Sequence, residues 1–183
     1  MSNKQQKIII DFGCGKNKYN GTIMGGGKGK VIGLDADPNS NADIVIDLSK
    51  KTHFTNNYAD MVYSSYLLEE IPDPLKVINE MVRITKPNGL IHLKVPHFTS
   101  DSLAWKHIHK GFSIKQFYNI PNTRLERIRL NYMYTTIPRF FLKEVINKLV
   151  SFFANLNPKF CERFWIYWVG GFSELEVKLR KIK

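Results

Sequence analysis

The chain reads as an α/β fold built on a mostly parallel seven-stranded sheet. Three observations predict it. Short β-branched runs end at an acid or a glycine, a segment of helical period lies between two of those runs, and the chain closes on a segment of period two.

The first strand is Lys7-Ile8-Ile9-Ile10-Asp11-Phe12, which runs straight into Gly13-Cys14-Gly15. Such a continuous apolar run suits a parallel strand buried on both faces. Val31–Asp35, Asp43–Asp47, Asp60–Ser64 and Leu90–Val95 repeat the pattern, the last of them closed by Pro96. Between the fourth and fifth runs, Pro74–Thr85 carries Leu75, Ile78, Met81 and Val82 at helical spacing. Lys86-Pro87-Asn88-Gly89 then stops that helix and turns the chain. Further on, Ser113–Tyr118 reads as a short helix and Leu125–Tyr134 as a sixth strand. Pro138–Leu156 is the strongest helix, with Phe141, Val145, Leu149, Phe152 and Leu156 on one face, widened by Phe140, Ile146, Val150 and Phe153. Leu175, Val177 and Leu179 alternate with Glu174, Glu176, Lys178 and Arg180, which makes the terminal strand. No repeat, linker or low-complexity stretch divides the chain, so residues 1–183 are expected to form one domain, with 7–115 as its ligand-binding core and 116–183 adding strands and a helical lid or insert.

Composition narrows the class. The 183 residues, 43% of them hydrophobic and 23% charged, belong to a globular protein rather than a disordered one. No apolar run approaches a membrane span, and Met1–Lys7 lacks a signal-peptide core, so a cytoplasmic location, peripheral at a membrane, is expected. Two cysteines, Cys14 and Cys161, exclude a disulfide framework and a four-cysteine zinc site. The net charge of +11 is unevenly spread: residues 1–100 hold 12 Lys and Arg against 10 Asp and Glu, and residues 101–183 hold 15 against 6. So basic a half suits an anionic membrane surface, RNA or a phosphorylated substrate, or simply a solvated face.

In an open α/β sheet, ligands sit beyond the carboxyl ends of the strands. Here Gly13 and Gly15 let backbone approach a ligand closely. Asp35, some 20 residues further on, stands where a carboxylate accepts from a ribose diol. Asp47, followed by Leu48, brings a third carboxylate suited to an exocyclic amine or to capping a turn. The slot for the third glycine of the dinucleotide fingerprint is Lys18, which argues against a nicotinamide cofactor. No Gly-Lys-Ser/Thr is present for a phosphate loop. His97, His107 and His109 lack a suitably spaced carboxylate or cysteine, so no metal is expected.

The ordered set Asp11-Phe-Gly-Cys-Gly15, Ile32-Gly-Leu-Asp35, Ile46-Asp47-Leu48, Tyr58–Glu70 and Glu80–Leu90 resembles the class I S-adenosylmethionine-dependent methyltransferases. It is nearest their broad type 11 small-molecule branch, over roughly residues 7 to 115. The resemblance implies a Rossmann-like domain with S-adenosyl-L-methionine as cofactor, and a reversed terminal strand in its mostly parallel sheet, which Leu175–Arg180 fits. Asp11 and the Gly13, Cys14 and Gly15 backbone would hold its amino-acid end, Asp35 with Ala36 its ribose, and Asp47 and Leu48 its adenine, with Ser64 near the sulfonium. Two departures accompany it. Gly21, Gly25, Gly26, Gly27 and Gly29 make residues 16–30 a poor first helix, at about 1 kcal/mol per helical glycine, so a loop or single turn is expected. Tyr66 and Glu70 stand where the family often carries a histidine pair.

Methyl transfer needs proximity, alignment and a dry pocket, with a base only when the acceptor is protonated. His97, after the fifth strand, and His109, in Trp105–Phe112, are the candidate bases; loop histidines making structural hydrogen bonds are the alternative. Cys14 is read as a small structural residue and Asp37 as a turn former. The aromatic group Phe160, Phe164, Trp165, Tyr167 and Trp168, with the long helix, packs on the sheet, covers an apolar acceptor, or rests on a membrane. The expected activity is methylation of a small-molecule, glycan or lipid acceptor. RNA ribose methylation and a non-catalytic cofactor-binding scaffold are the competing readings.

Overall fold

The structure, a computed structural model, describes residues 6–22, 28–100, 107–132, 141–166 and 171–183. Its strands are β1 (Ile8–Phe12), β2 (Lys30–Asp35), β3 (Ile44–Val45), β4 (Ala59–Ser65), β5 (Thr85–Pro96), β6 (Thr123–Asn131) and β7 (Glu174–Lys181). They form one seven-stranded sheet in the order β3-β2-β1-β4-β5-β7-β6. β1 pairs in parallel with β2 and β4, β2 with β3, and β4 with β5. β7 slots antiparallel between β5 and β6; the terminal alternation predicts the strand and the family resemblance its reversal. Strand order reverses at β1, where β2 and β4 lie on either side of it. That is where a doubly wound sheet opens a crevice at its carboxyl edge.

β1 is buried from Ile9 onward because both of its faces are covered. α1 (Pro74–Ile84) is capped by Asp73, whose carboxylate accepts from the Lys76 amide at 3.1 Å, and Pro74 occupies its first turn. It packs Val77, Ile78, Met81, Val82 and Ile84 on the sheet. Leu75 stands out toward solvent, so the expected stripe is rotated by one position. The Lys86–Gly89 turn exists, but inside β5 rather than before it. Ala59 pairs with Thr85 and Met61 with Leu90, so the chain bulges out between those pairs and Asn88 takes a φ of 62°. The third run keeps only Ile44 and Val45 as strand, both exposed, which leaves a short and blunt sheet edge. Among residues 16–22 and 28–30 there is no helix; Thr22 bridges Lys28 instead, in line with the expected loop, and residues 23–27 lie outside the described ones. Ser113–Tyr118 is a single tight turn, Ile114–Phe117, closed by a Ser113–Gln116 capping box.

The other sheet edge, β6, is sealed by α2 (Phe141–Leu156) in an unexpected way. The Asn155 amide group donates to the Leu130 carbonyl at 2.8 Å, and its oxygen accepts from the Leu130 amide at 3.0 Å. Ser151 Oγ accepts from the Tyr132 amide at 3.1 Å. Asn147, Ser151 and Ala154 are buried, while Val145, Ile146, Leu149, Phe152, Phe153 and Leu156 are exposed. The helix therefore packs by the opposite face from the one its apolar stripe predicts: the free N–H and C=O groups of an edge strand are satisfied by amide and hydroxyl side chains, not by leucines. Residues 138–140 of the predicted helix lie outside the described ones. Beyond α2, α3 (Pro158–Phe160), capped by Asn157, runs into a π-helical turn, Cys161–Trp165. Among the described residues, no helix is long and apolar enough to cross a membrane.

Candidate active site

Gly13 and Gly15 adopt φ values of 73° and 52°, in the left-handed region. The tight turn follows from this. The Gly13 and Cys14 amides both donate to the Leu34 carbonyl, at 2.9 and 3.0 Å, and the Gly15 amide donates to Asp35 Oδ2 at 2.7 Å. The glycine turn after β1 and the acid that ends β2 are thus one hydrogen-bonded unit. A Cβ on Gly13 would come within 3.0 Å of the Leu67 side chain, and one on Gly33 within 2.8 Å of Cys14 Sγ. These glycines leave room for neighbours as well as for the turn.

Asp11 is 2% exposed and accepts from the Tyr19 amide at 2.7 Å. Burial pushes its carboxyl up to about 6, with nearby Asp35 adding to the rise and the Tyr19 amide and Lys18 opposing it. Burial, then Asp11 and Asp35, raise the Cys14 thiol to about 11, so it stays protonated and is no nucleophile. Asp43 accepts from the Gly33 amide at 2.7 Å and pairs with Lys18 at 2.8 Å. This neighbourhood is rich in carboxylates and short of compensating charge, the setting a cationic ligand would relieve.

Ser64 is buried and donates to the Phe12 carbonyl at 3.0 Å, tying β4 to the end of β1. Ala36 is exposed in the turn after Asp35, where the Asp37 amide donates to Asp35 Oδ1 at 2.9 Å. Asp47 lies past β3 at the same sheet edge, but its carboxylate turns to the Ser49 amide and hydroxyl and to Lys50, contacts that hold it down to about 2. Leu48 is buried in the main core. Asp11, Gly13, Cys14, Gly15, Asp35 and Ser64 are brought together; Asp47 and Leu48 flank them.

The two candidate bases stand elsewhere. His97 is 0% exposed, with Nδ1 at 2.7 Å from Thr99 Oγ1 and Nε2 at 3.3 Å from Glu162 Oε1. Both ring nitrogens are occupied. His109 Nε2 donates to the Ile71 carbonyl at 2.9 Å, and the ring lines a groove with Leu75, Ile78 and Phe117. Glu162 also accepts from the Ile114 amide at 2.7 Å and from Ser113 Oγ at 3.1 Å, so it clamps the loop after β5 to the π-helical turn. These contacts hold the Glu162 carboxyl below its ordinary value against the burial that raises it. Around this clamp opens a cleft of about 630 Å³ lined by Phe98, Ser113, Lys115, Tyr118, Lys159, Glu162 and Arg163. Phe98 follows the end of β5, two strands from β1, so the cleft lies on the same sheet edge as the glycine turn, some 10 Å along it at about 4.8 Å per strand.

Sequence reasoning missed Glu69. It sits in the Leu68–Glu70 turn that follows β4, is 2% exposed, and its Oε2 has no hydrogen-bond partner among the described residues. Burial pushes its carboxyl up to about 7. Glu69 and Glu70 are indistinguishable in sequence; only the fold turns Glu69 inward, while Glu70 pairs with His107. Tyr66, immediately after β4, takes a φ of 56°, and its hydroxyl donates to Glu174. A bulky residue held there is local strain at the carboxyl edge.

This edge, with a glycine turn tied to a carboxylate beside a topological switch point, is laid out as in the Rossmann-like fold of S-adenosylmethionine-dependent methyltransferases. The comparisons agree. Residues 10–93 match the model of a family described as a methyltransferase domain. An uncharacterized methyltransferase of Mycobacterium leprae (strain Br4923) is 29% identical over 98 residues, which are 48% of this chain and 36% of that protein. The match thus spans about a third of the curated relative. Two solved structures share the fold. A SAM-dependent methyltransferase from Archaeoglobus fulgidus has a TM-score of 0.62 at 14% identity, over 97% of this chain and 87% of its own. An S-adenosylmethionine-dependent methyltransferase from Mesorhizobium loti has a TM-score of 0.58 at 16% identity, over 96% and 91%. Another structure with the same fold is titled a [4+2]-cyclase, at a TM-score of 0.57 and 13% identity. The fold by itself therefore does not dictate the reaction.

Proposed function

We propose that the chain binds S-adenosylmethionine at the β1–β2 edge and transfers its methyl group to a small-molecule, glycan or lipid acceptor. One observation carries the reading: the Gly15 amide and the Asp35 carboxylate meet at 2.7 Å beside the buried Asp11. A cofactor bearing an ammonium, a sulfonium and a ribose diol matches that donor set in charge and hydrogen bonding. When bound, it supplies a methyl group already attached to its leaving group. The protein's own residues bind, orient and exclude water. Asp11 and the Gly13, Cys14 and Gly15 backbone would hold the amino-acid end, and Asp35 and Ala36 the ribose. Asp47 and Leu48 would serve the adenine, and Ser64, which ties β4 to the end of β1, the sulfonium.

The acceptor is assigned to the cleft beyond β5, whose Phe98 and Tyr118 give an apolar wall and whose Lys115, Lys159 and Arg163 give cations. Alignment on this scale is worth about 7 to 11 kcal/mol to a displacement that needs no metal. Where the acceptor carries a proton, Glu69 is the proton acceptor this reading favours. It sits in the turn that follows β4, the strand between β1 and β5, and its buried Oε2 has no partner among the described residues. His97 has both ring nitrogens committed, to Thr99 and Glu162, and fits a positioning role; His109 is held through Nε2 by the Ile71 carbonyl and lines a different groove, with Leu75, Ile78 and Phe117. An RNA acceptor draws on the charge of residues 101–183 and would appear as a salt-sensitive gel shift. The experiment for the main reading is a thermal shift with S-adenosylmethionine. A ligand at a hundred times its dissociation constant stabilises by about 2.7 kcal/mol and raises Tm. No shift at saturating ligand would contradict the reading, and a shift without methyl transfer to any acceptor would leave the cofactor-binding scaffold.

A further inference from the structure

Helix α2 is turned inside out. Its polar residues Asn147, Ser151 and Asn155 face the protein and bond to one another or to the β6 edge. Its apolar residues face outward at i, i+4, i+7 and i+11: Val145, Leu149, Phe152 and Leu156. Phe152 is 60% exposed and Leu156 68%. Phe160 and Phe164 continue the apolar surface across α3 and the π-helical turn. An ordinary surface helix does the reverse, and contiguous exposed apolar surface marks a contact site. Because the inward face is fixed by side-chain bonds to specific backbone groups, the helix cannot roll over to bury its leucines without unsealing β6.

The charge around this surface selects the occupant. Lys148 and Lys159 are exposed, as is Arg163, and no carboxylate pairs with any of them among the described residues. Glu162 is turned away, spent on His97, Ser113 and Ile114. Glu144 is at the far end of the helix, in its first turn. A second copy meeting this face across a two-fold axis would set like charges against one another. Nucleic acid could stack on the phenylalanines but would leave Val145, Leu149 and Leu156 in water, and those aliphatic side chains offer a base no stacking platform. An anionic bilayer matches both features, apolar side chains for the acyl boundary and cations for the phosphates. With 16 residues at 1.5 Å each, α2 is about 24 Å long and lies in the plane rather than across it.

We propose that the outer face of α2 and the Pro158–Trp165 segment docks on an anionic lipid surface. The inference does not depend on methyl transfer. Its consequence for that reading is that Lys159 and Arg163, which also line the cleft, set the cleft mouth at headgroup depth.

The test is sedimentation of the full chain with vesicles of phosphatidylcholine alone and with phosphatidylglycerol mixed in. Binding is expected to the mixed vesicles only, and to weaken as salt rises. Phe152→Asp with Leu156→Asp should reduce it about tenfold or more, and Lys159→Glu or Arg163→Glu about fivefold per charge removed. Circular dichroism should show these variants folded, since the replaced side chains are outside the core. As a second readout, Phe152→Trp should show a blue-shifted emission when the mixed vesicles are added. Absence of binding to mixed vesicles overturns the proposal. So does binding that ignores the Asp substitutions, or a Phe152→Trp emission that does not move. If light scattering shows a dimer that Leu156→Asp dissociates while vesicle binding stays as it was, the face belongs to a second copy.

Discussion

The β1–β4 half of the sheet and the β6–α2 edge solve opposite problems with the same polar side chains. At β1 and β2, carboxylates and backbone amides are gathered at the carboxyl edge over a core of Ile9, Ile10, Phe12 and Leu34, and the acids are left short of positive partners. At β6, amides and hydroxyls are turned inward to finish an open strand, and the apolar residues are put outside. The first arrangement is built to receive a small cation. The second is built to meet a surface. A polar residue can therefore mark a ligand site or a seam, and only its partners distinguish the two.

The largest contrast is in stability. Ile91→Ala, in the middle of β5, should cost about 2 to 5 kcal/mol in urea unfolding, whereas Leu156→Ala should cost close to nothing. Equal losses at both positions would mean α2 buries its apolar face after all. Next comes Glu69. Its carboxyl is raised from 4.5 to about 7, so the fold binds that proton more tightly than the unfolded chain does. Its contribution is therefore complete below pH 4.5 and lost as pH rises to about 7, by about 3 kcal/mol. Glu69→Gln should remove this decline, so that its stability relative to the unmodified protein grows between pH 4.5 and 7. The same variant should lower kcat more than it raises KM if Glu69 takes a proton.

Asn155→Ala removes both bonds to Leu130 and leaves that edge group to water, at a cost of about 1 to 2 kcal/mol. Amide exchange should show Leu130 opening faster while Ile10 is unaffected. Asp11 gives a linked effect on binding. Burial holds it at about 6, and a cationic ligand favours its ionised form. Affinity for S-adenosylmethionine should rise about tenfold between pH 5 and 7. Asp11→Asn should flatten that slope, and a slope that persists in the variant would assign it to another group.

The sheet was readable in sequence because buried parallel strands are written as continuous runs: Ile8-Ile9-Ile10 and Met61-Val62 admit no other economical reading. The glycine turn and Asp35 were readable because their spacing is set by backbone geometry, and 20 residues of sequence close to 2.7 Å. What sequence hid depends on the direction in which a side chain points. Ser151 and Asn155 find their partners at Tyr132 and Leu130, on or just past β6, and Asn147 bonds to Ser151, so in sequence the three looked like the solvated side of α2. The start of β5 was masked by a Pro-Asn-Gly bulge that resembles a strand boundary. His97 follows a strand as a catalytic base would, and only Glu162, 65 residues away, reveals it as a brace. Glu69 gave no signal, since burying one glutamate of an adjacent pair is decided by how the chain leaves β4.

The most direct measurement is calorimetric titration of the full chain with S-adenosylmethionine at neutral pH, beside Asp35→Ala. The carboxylate–glycine edge predicts one binding site in the unmodified protein. In the variant the affinity should fall about a hundredfold or more, since two charge-assisted hydrogen bonds are lost, while its circular dichroism is unchanged. An absence of heat with the unmodified protein, or equal affinity in a well-folded Asp35→Ala, would contradict it.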